Sequence, residues 1–286
     1  MNQLDMNLLS RIVRTAIEED VGAGDITTNS VVEKHRKARA EVVVEEDCVV
    51  AGLPVAQLVY ETIDEDLDFQ KEVEDGREVL KGTVIARLHG SARSVLTGER
   101  TALNFLQRLS GIATSTARFV ERTRPFGTKI MDTRKTCPGL RYLEKYAVRV
   151  GGGSNHRMGL YDMFLIKDNH LHAAGGRKKE AIPVAVERAR KFNPNVQIEI
   201  EVESLDELRE ALKTQPDMIL LDNTSVSEIA QAVKMAQGKV VLEASGGVTL
   251  ANVEEIARTG VDCISIGALT TASPATNMKM ELTEWA

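Results

Sequence analysis

Short apolar runs recur along the C-terminal half of the chain, and an amphipathic stretch such as LDELREALK, from Leu205, follows each of the later ones. The later runs begin at intervals of roughly 20 to 24 residues, the length of a short strand, a loop and a helix. Repeated βα units of this kind predict a parallel sheet, and six or more in succession favour a barrel over an open sheet. The runs lie near Ile130, Leu165, Ile200, Leu220, Val241 and Ile264.

The pattern differs before Ser110. A helix-like start is followed by KARAEVVVEEDCVVAGL from Lys37 and LDFQKEVEDGREVLKGTVIARLHG from Leu67, where polar and apolar residues alternate between DG and KG turn signals. This alternation predicts antiparallel strands. The segment from Leu96, LTGERTALNFLQRLSG, predicts a helix that joins the two parts. We therefore expect a small N-terminal α/β domain over 1–110, a β/α barrel domain over 111–272 and a tail over 273–286 that packs back on the first domain.

Composition excludes several classes of protein. Hydrophobic residues make up 43% and charged residues 27% of the 286 positions, as in ordinary globular proteins. The chain has no apolar run long enough to span a bilayer, and its first residues do not resemble a signal peptide. Cys48, Cys137 and Cys263 are widely separated, which predicts reduced thiols rather than disulfides or a zinc site. We expect a cytoplasmic protein with no membrane partner.

Charge is unevenly distributed. The net charge is −6, which predicts no affinity for nucleic acid. Residues 93–167, however, contain 14 Lys and Arg against 5 Asp and Glu, a net charge of +9. A basic segment within an acidic chain indicates a local anion site, although a solvated basic surface is an equally good explanation from charge alone.

Polar residues follow five successive apolar runs. Barrel enzymes place their chemistry at the C-terminal ends of the strands. Charges there are costly unless they are paired or used, so a series of them favours a functional site over isolated ion pairs. The polar ends are Asp132–Lys135, Lys167–Asn169, Glu201, Asp222–Asn223 and Glu243–Ser245.

Two late strands are predicted to end in glycine-containing turns, ASGG and then SIGA. Glycine lets backbone amides approach an anion closely, and a following helix start favours negative charge. The alternative is that these glycines only form tight turns. The pair stands where barrels commonly bind phosphate. The predicted phosphate-binding residues are Ser245, Gly246, Gly247, Ile266, Gly267 and Ala268.

Cationic side chains cluster near predicted loops and element ends. Arg matches a carboxylate or phosphate with a planar fork and Lys supplies a compact charge, so a ligand with several negative charges fits them all. The glycine-rich loop GGGSNHR is expected to bring two of them inward, unless it is a plain surface turn. The candidate cations are Arg100, Arg134, Lys135, His156, Arg157 and Lys167.

Two acids stand among these cations, Glu201 and Asp222. Their oxygens suit Mg²⁺ shared with phosphates, or they stabilise positive charge on a sugar carbon. Pairing of each acid with a neighbouring Lys or Arg is an open alternative. His170 and His172 lack an obvious third ligand, which disfavours a metal site in DNHLH.

Motifs along nearly the whole chain resemble those of the quinolinate phosphoribosyltransferases, also called carboxylating nicotinate-nucleotide pyrophosphorylases. They are EEDVGAGDITT from Glu18, GERTALNFLQRLSGIAT from Gly98, DTRKTCPGLR from Asp132 and GGGSNHRMGLYDMFLIKDNH from Gly151, followed by EVESLDE, ILLDN, EASGGV and SIGALT. The resemblance implies a small N-terminal α/β sandwich domain plus an incomplete, open TIM-like β/α barrel. It also implies a homodimer with sites at the subunit boundary.

The same resemblance implies an activity and a role for each motif residue. Phosphoribosyl pyrophosphate and quinolinate would give nicotinate mononucleotide, pyrophosphate and carbon dioxide, in NAD biosynthesis. The implied catalytic residues are Lys135, Glu201 and Asp222, with Glu201 and Asp222 near the ribose and Mg²⁺. The implied substrate ligands are Arg100 from the neighbouring subunit, Thr133, Arg134, Lys135, His156, Arg157 and Lys167. The glycine turns would hold the 5′-phosphate.

Three other functions are weighed against this one. A phosphoribosyltransferase that uses nicotinate without decarboxylation is the nearest, but several Arg around one ring favour a dicarboxylate. A Schiff-base aldolase would use Lys167. A catalytically inactive binding protein would have no reason to retain the full set of cations, acids and glycines.

Overall fold

The computed structural model describes residues 4–175 and 178–285. The chain forms two compact units. The first unit takes the chain up to Ala117, then Cys137–Gly152 and the chain from Ala272 onward. The second unit takes Arg118–Thr136 and Gly153–Thr271.

Helices and strands alternate along most of the chain. In order, they are α1 (Met6–Val21), α2 (Ile26–Val31), β1 (Lys37–Val44), β2 (Cys48–Val49), α3 (Leu53–Ile63), β3 (Asp68–Lys71), β4 (Glu78–Val79), β5 (Val84–Ser91), α4 (Ala92–Thr123), a 3₁₀ turn (Arg124–Phe126), β6 (Lys129–Met131), α5 (Arg141–Val150), β7 (Phe164–Ile166), α6 (Asp168–Ala174), α7 (Lys178–Phe192), β8 (Ile198–Val202), α8 (Leu205–Lys213), β9 (Met218–Asp222), α9 (Val226–Ala236), β10 (Val241–Ser245), α10 (Val253–Arg258), β11 (Cys263–Ser265), α11 (Ala268–Thr271) and β12 (Met278–Trp285).

The first unit is built on an antiparallel sheet of order β12-β1-β5-β3. In β1, Ala38, Ala40, Val42 and Val44 are buried, which is the period of two expected for a strand with one core face. Strand β12, from the C-terminal tail, pairs with β1. Helix α4 continues without a break through residue 110, where we predicted the boundary between the two domains. That boundary stays a prediction.

The second unit contains a parallel sheet of order β6-β11-β10-β9-β8-β7. The first strand therefore lies beside the last, as in a closed barrel, and the opening falls between β6 and β7. At the β6 side of this opening, Ser154 forms a single parallel bridge with Met131. The predicted parallel βα architecture and the open-barrel fold class are confirmed.

Strand β8 shows how sequence period places polar groups in this sheet. Ile198, Ile200 and Val202 alternate with Glu199 and Glu201, and all five are buried. Because successive side chains point to opposite faces, the two glutamates share one face and the apolar residues share the other. The carboxyl ends of all six strands meet at one edge of the sheet.

Among residues 4–175 and 178–285, no helix combines the length and apolar character that crossing a membrane requires.

Candidate active site

The carboxyl edge of the parallel sheet carries nearly all of the predicted site residues. We call this set the rim. Following the strand order from β6 to β7, it consists of Thr133–Lys135, Ile266–Ala268, Ser245–Gly247, Asp222, Glu201 and Lys167. The sheet thus brings together the predicted cations, acids and glycine turns of the second unit.

Lys167 and Glu201 form an ion pair on the rim. The register of β7 against β8 pairs Ile166 with Ile200, which sets these two side chains beside each other. The Glu201 side chain is 7% exposed and that of Lys167 is 42% exposed. The ion-pair alternative raised for this acid therefore describes its contact in the structure. An ammonium group engaged in this way is not the free amine that a Schiff base requires.

Asp222 and Gly246 are linked through Asn223. The Asn223 side-chain amide donates to Asp222 Oδ2 at 2.8 Å, and its backbone amide donates to the Ser245 carbonyl at 2.9 Å. A Cβ on Gly246 would lie 2.2 Å from Asn223 Oδ1, and the φ of Gly246 is +98°. The backbone at Gly246 lies so close to Asn223, the residue after Asp222, that a side chain has no room there. Glycine allows this close approach and the positive φ.

Lys135 lies against the second glycine turn. A Cβ on Gly267 would come 2.8 Å from Lys135 Cδ. The Lys135 backbone amide donates to Thr133 Oγ1 at 3.0 Å, and Thr270 Oγ1 donates to the Lys135 carbonyl. These contacts place the lysine side chain beside the turn predicted to bind phosphate.

The first glycine turn is a loop rather than a helix start. Helix α10 begins only at Val253, and Asn252 organises the loop by donating to the Gly247 carbonyl at 3.0 Å and accepting from the Thr249 amide at 2.8 Å. An anion at Gly246 and Gly247 would therefore meet loop amides, not a helix N-terminus. The second turn leads directly into α11, which begins at Ala268 and has four residues.

Arg134 and Arg157 are close enough for their positive charges to repel each other. Burial lowers the pKa of Arg157, and repulsion from Arg134 lowers it further. Arg157 Nη1 donates to the Met163 carbonyl at 3.2 Å. A bound anion with two carboxylates would offset the repulsion between these two like charges.

Beneath the rim lies a group in which the sequence analysis predicted a ligand-binding role for His156 alone. His156 Nε2 is 2.9 Å from Glu199 Oε2 and 3.5 Å from Glu243 Oε2. We call Glu199 and Glu243 the buried carboxylate pair, since both are fully buried. Burial raises the pKa of both, and their mutual repulsion raises that of Glu243 further. Glutamate on alternate positions of the apolar strand IEIEV was the signal that could have revealed Glu199.

Asp132 and His170 each accept a hydrogen bond from a backbone amide. Asp132, which is fully buried, accepts the His156 amide at 2.9 Å and the side-chain amide of Asn155. His170 Nδ1 accepts the Lys167 amide at 2.9 Å, at the start of α6. The first histidine of DNHLH thus fixes the backbone at the start of α6.

Arg100 is the predicted site residue that lies in the other unit. It belongs to α4, and its side chain is 61% exposed and 4.0 Å from Glu99. Its contribution to a site across a subunit boundary stays a prediction.

Comparison with known proteins agrees with this arrangement. The family model "Quinolinate phosphoribosyl transferase, N-terminal domain" matches residues 25–110, and the model for the C-terminal domain matches 112–281. A protein of Synechocystis named probable nicotinate-nucleotide pyrophosphorylase [carboxylating] is 44% identical, over 93% of this chain and 90% of its own length. A Bacillus subtilis protein of the same name is 40% identical over 99% of this chain and 95% of its own length.

Solved structures give the same result. The nicotinate-nucleotide pyrophosphorylase of Francisella tularensis superposes with a TM-score of 0.93 at 40% identity, covering 99% of this chain and 98% of that one. Human nicotinic acid phosphoribosyltransferase, at 12% identity and a TM-score of 0.60 over 97% of this chain and 74% of its own, shares the fold alone. With both domain models and full-length relatives in agreement, the chain belongs to the quinolinate phosphoribosyltransferase family.

Proposed function

We propose that this chain transfers the phosphoribosyl group of phosphoribosyl pyrophosphate to quinolinate, with decarboxylation, as a step of NAD biosynthesis. The observation that carries the proposal is the rim, where two glycine turns, two acids and a set of cations follow one another along a single edge of the sheet. Both substrates are polyanions. The names of the relatives, which specify carboxylating or decarboxylating enzymes, supply the rest of the assignment.

Quinolinate carries two carboxylates on one ring, and Arg134 and Arg157 provide two guanidinium groups near each other. Each guanidinium can bind one carboxylate through two parallel hydrogen bonds. Lys167 adds a third positive charge at the end of β7, where it is paired with Glu201. A second carboxylate on the ring would give the second guanidinium group a counter-charge from the substrate, which supports quinolinate over nicotinate.

Phosphoribosyl pyrophosphate fits the opposite stretch of the rim. The loop at Gly246 and Gly247 exposes backbone amides to the 5′-phosphate, and the Gly267 turn adds others. Lys135, whose side chain lies against Gly267, would bind the pyrophosphate. Its ammonium group would stabilise the negative charge that develops as pyrophosphate departs.

Glu201 and Asp222 would hold Mg²⁺, because carboxylate oxygens at neighbouring strand ends suit a hard cation that takes its other ligands from phosphates and water. When bound, the ion would offset charge on the pyrophosphate. The same carboxylates would stabilise positive charge on the anomeric carbon of the ribose.

The bonds change in two steps. The pyridine nitrogen donates its lone pair to the anomeric carbon, and the bond from that carbon to the pyrophosphate oxygen breaks with its electron pair leaving on oxygen. The ring nitrogen is then positively charged. The carboxylate next to it leaves as carbon dioxide, its bonding pair stays on the ring carbon, and that carbon takes up a proton.

The test is a direct assay. The protein is incubated with phosphoribosyl pyrophosphate, Mg²⁺ and quinolinate labelled in the carboxyl group next to the ring nitrogen. We expect labelled carbon dioxide and nicotinate mononucleotide in equal amounts, loss of both with EDTA, and far slower turnover of nicotinate. Comparable turnover of nicotinate would contradict the assignment to the decarboxylating enzyme.

We also propose a homodimer in which Arg100 completes the partner's site. The proposal follows from the family resemblance and from the exposure of Arg100 outside the barrel unit. If it is correct, Arg100→Ala damages the partner's site and Arg134→Ala damages its own.

Mixed dimers of these two variants test the shared site. In each mixed dimer one site collects both defects and the other collects neither. Random exchange makes about half of the dimers mixed, so about a quarter of wild-type activity should return. Subunit exchange is verified with a tag on one variant. Mixed dimers that form and stay inactive would show that Arg100 acts within its own subunit.

All three cysteines are free, with Cys48 and Cys263 buried and Cys137 exposed. Thiols that remain unpaired support a reducing compartment, and we propose the cytoplasm. Cell fractionation followed by detection with an antibody tests this location. We expect the protein in the cytoplasmic fraction with its thiols reduced.

A further inference from the structure

His156 has both ring nitrogens engaged inside the protein. The backbone amide of Arg157 donates to Nδ1 at 2.8 Å. An amide N–H can only donate, so Nδ1 carries no proton, and Nε2 must carry the proton of the neutral ring. That N–H points at Glu199 Oε2, at 2.9 Å. The ring therefore has no nitrogen left to offer to a carboxylate of the substrate.

The tautomer also argues against a metal in this group. His156, Glu199 and Glu243 bring one ligand atom each to within 4.8 Å of one another, a spacing that a metal ion could bridge. A metal would need the lone pair of Nε2, which requires the proton to sit on Nδ1. The Arg157 amide occupies Nδ1 as a donor, so this arrangement is that of a hydrogen-bonded group.

The loop that carries Arg157 is held at successive points. Ser154 bridges to β6, with its amide 2.8 Å from the Ile130 carbonyl. Asp132 accepts the His156 amide, and the His156 ring accepts the Arg157 amide. The loop lies at the opening between β6 and β7, where a single bridge stands in place of a full strand ladder. Side-chain hydrogen bonds must therefore fix the position of Arg157.

Glu199 contributes to the same end electrostatically. Its negative charge opposes the effects of burial and of Arg134, both of which disfavour the charged form of Arg157. The carboxylate thus accepts from the His156 ring and attracts the guanidinium that this ring helps to hold.

We infer that His156 is a positioning residue and not a ligand of quinolinate: with Glu199, and Glu243 behind it, the ring fixes the loop that presents Arg157 to the dicarboxylate. This inference rests on the proposed function and differs from the role that the family resemblance implied for His156. Quinolinate is then bound through guanidinium and ammonium groups alone.

The first test measures the tautomer and needs no ligand. The chain has five histidines, so protein labelled with ¹⁵N in the imidazole rings gives few signals, and His156→Gln identifies those of His156. We expect the neutral ring with the proton on Nε2, unchanged when quinolinate is added without phosphoribosyl pyrophosphate. A charged ring, a proton on Nδ1, or a change in ring protonation on adding quinolinate would overturn the inference.

The second test is a double-mutant cycle on quinolinate binding, measured by calorimetry without phosphoribosyl pyrophosphate. His156→Ala and Glu199→Ala should each weaken binding about tenfold, and the double variant should be no weaker than the weaker single one, because both act through one contact. Glu199→Gln, which keeps an acceptor for Nε2–H, should stay within about threefold of wild type. Losses that multiply would mean that His156 binds the substrate directly.

These measurements distinguish failure of the proposed function from failure of the inference about His156. If wild-type protein does not bind quinolinate at all, the proposed function fails, while the tautomer of the unliganded protein still decides the hydrogen-bonding role of His156. Thermal melting of each alanine variant shows whether it is folded. Should one be unfolded, the tautomer measurement on wild-type protein decides the inference.

Discussion

Glu199 and Glu201 stand two residues apart on β8 and share one face of the strand, yet their surroundings are opposite. Glu201, on the rim, faces the ammonium group of Lys167. Glu199, one residue pair further from the rim, faces the ring of His156 and a second carboxylate, Glu243, and burial raises its pKa. The same residue type on the same strand thus meets an ammonium group in one layer, and an imidazole and a second carboxylate in the next.

This difference separates two functions within one sheet. Charges on the rim have partners that a ligand can replace, so they can bind and release substrates. The buried carboxylate pair has no access to solvent and cannot exchange partners with a ligand. We expect changes on the rim to appear in kinetics, and changes in the pair to appear in the free energy of unfolding and in the placement of Arg157.

The largest effect should come from the rim at Lys135. Lys135→Ala removes the charge beside Gly267, and we expect kcat/KM to fall about 10³-fold, on the order of 4 kcal/mol of transition-state stabilisation. The free energy of unfolding should change little. Lys129 is an exposed lysine at the start of β6, the strand that precedes the loop of Lys135. Lys129→Ala is therefore the matched control, and its kcat/KM should stay near that of wild type. Near-normal activity of Lys135→Ala would contradict a catalytic role for Lys135 on the rim.

A smaller effect is expected in the buried carboxylate pair, and it should depend on pH. The pKa of Glu243 is raised from 4.5 to about 8, first by burial and then by repulsion from Glu199. Its contribution to stability is therefore present below pH 4.5 and lost as the pH rises through about 8. Glu243→Gln does not titrate, so its free energy of unfolding relative to wild type should rise between pH 5 and 8 by on the order of 2 to 4 kcal/mol.

Urea unfolding at several pH values measures this rise. Glu254→Gln, at an exposed i,i+4 pair with Arg258, is the control and should show a flat difference. A difference for Glu243→Gln that is equally flat would mean that Glu243 is ionised in the folded protein throughout this range.

The smallest effect is expected at Gly246, a glycine with positive φ on the rim. It is compared with the effect at Gly260, a glycine with positive φ outside the rim. Gly246→Ala places a Cβ against Asn223, and we expect the KM for phosphoribosyl pyrophosphate to rise about tenfold or more while quinolinate affinity is kept. Gly260→Ala is the control, because Gly260 has a φ of +86° and only one contact, at 3.6 Å, with Val233. Gly260→Ala should lose about 1 kcal/mol of stability through its positive φ, and Gly246→Ala should lose more because its Cβ also meets Asn223. Equal kinetic effects would assign the loss to backbone strain alone.

Much of the site could be predicted from strand ends. Lys135, Lys167 and Asp222 follow apolar runs directly, and parallel strands must bring such ends to one edge. Glu199 was missed because it lies inside a strand: the alternation in IEIEV marks its face of the sheet, but its contact with His156 joins residues that are distant in sequence. Glu243 was noticed as a strand end, but nothing in its own sequence neighbourhood indicates that it meets Glu199 and His156.

What the sequence by itself determined is what depends on local period and motif: six βα units, the antiparallel first part, the glycine turns and the family. Only the tertiary structure decided which charges meet. The pairing of Lys167 with Glu201 needs the register of β7 on β8, and the tautomer of His156 needs the Arg157 amide and Glu199 around one ring. The physical reason is that hydrogen bonds and ion pairs act over a few ångströms, so residues 43 positions apart in the chain, as His156 and Glu199 are, determine each other's state only once folding has brought them together.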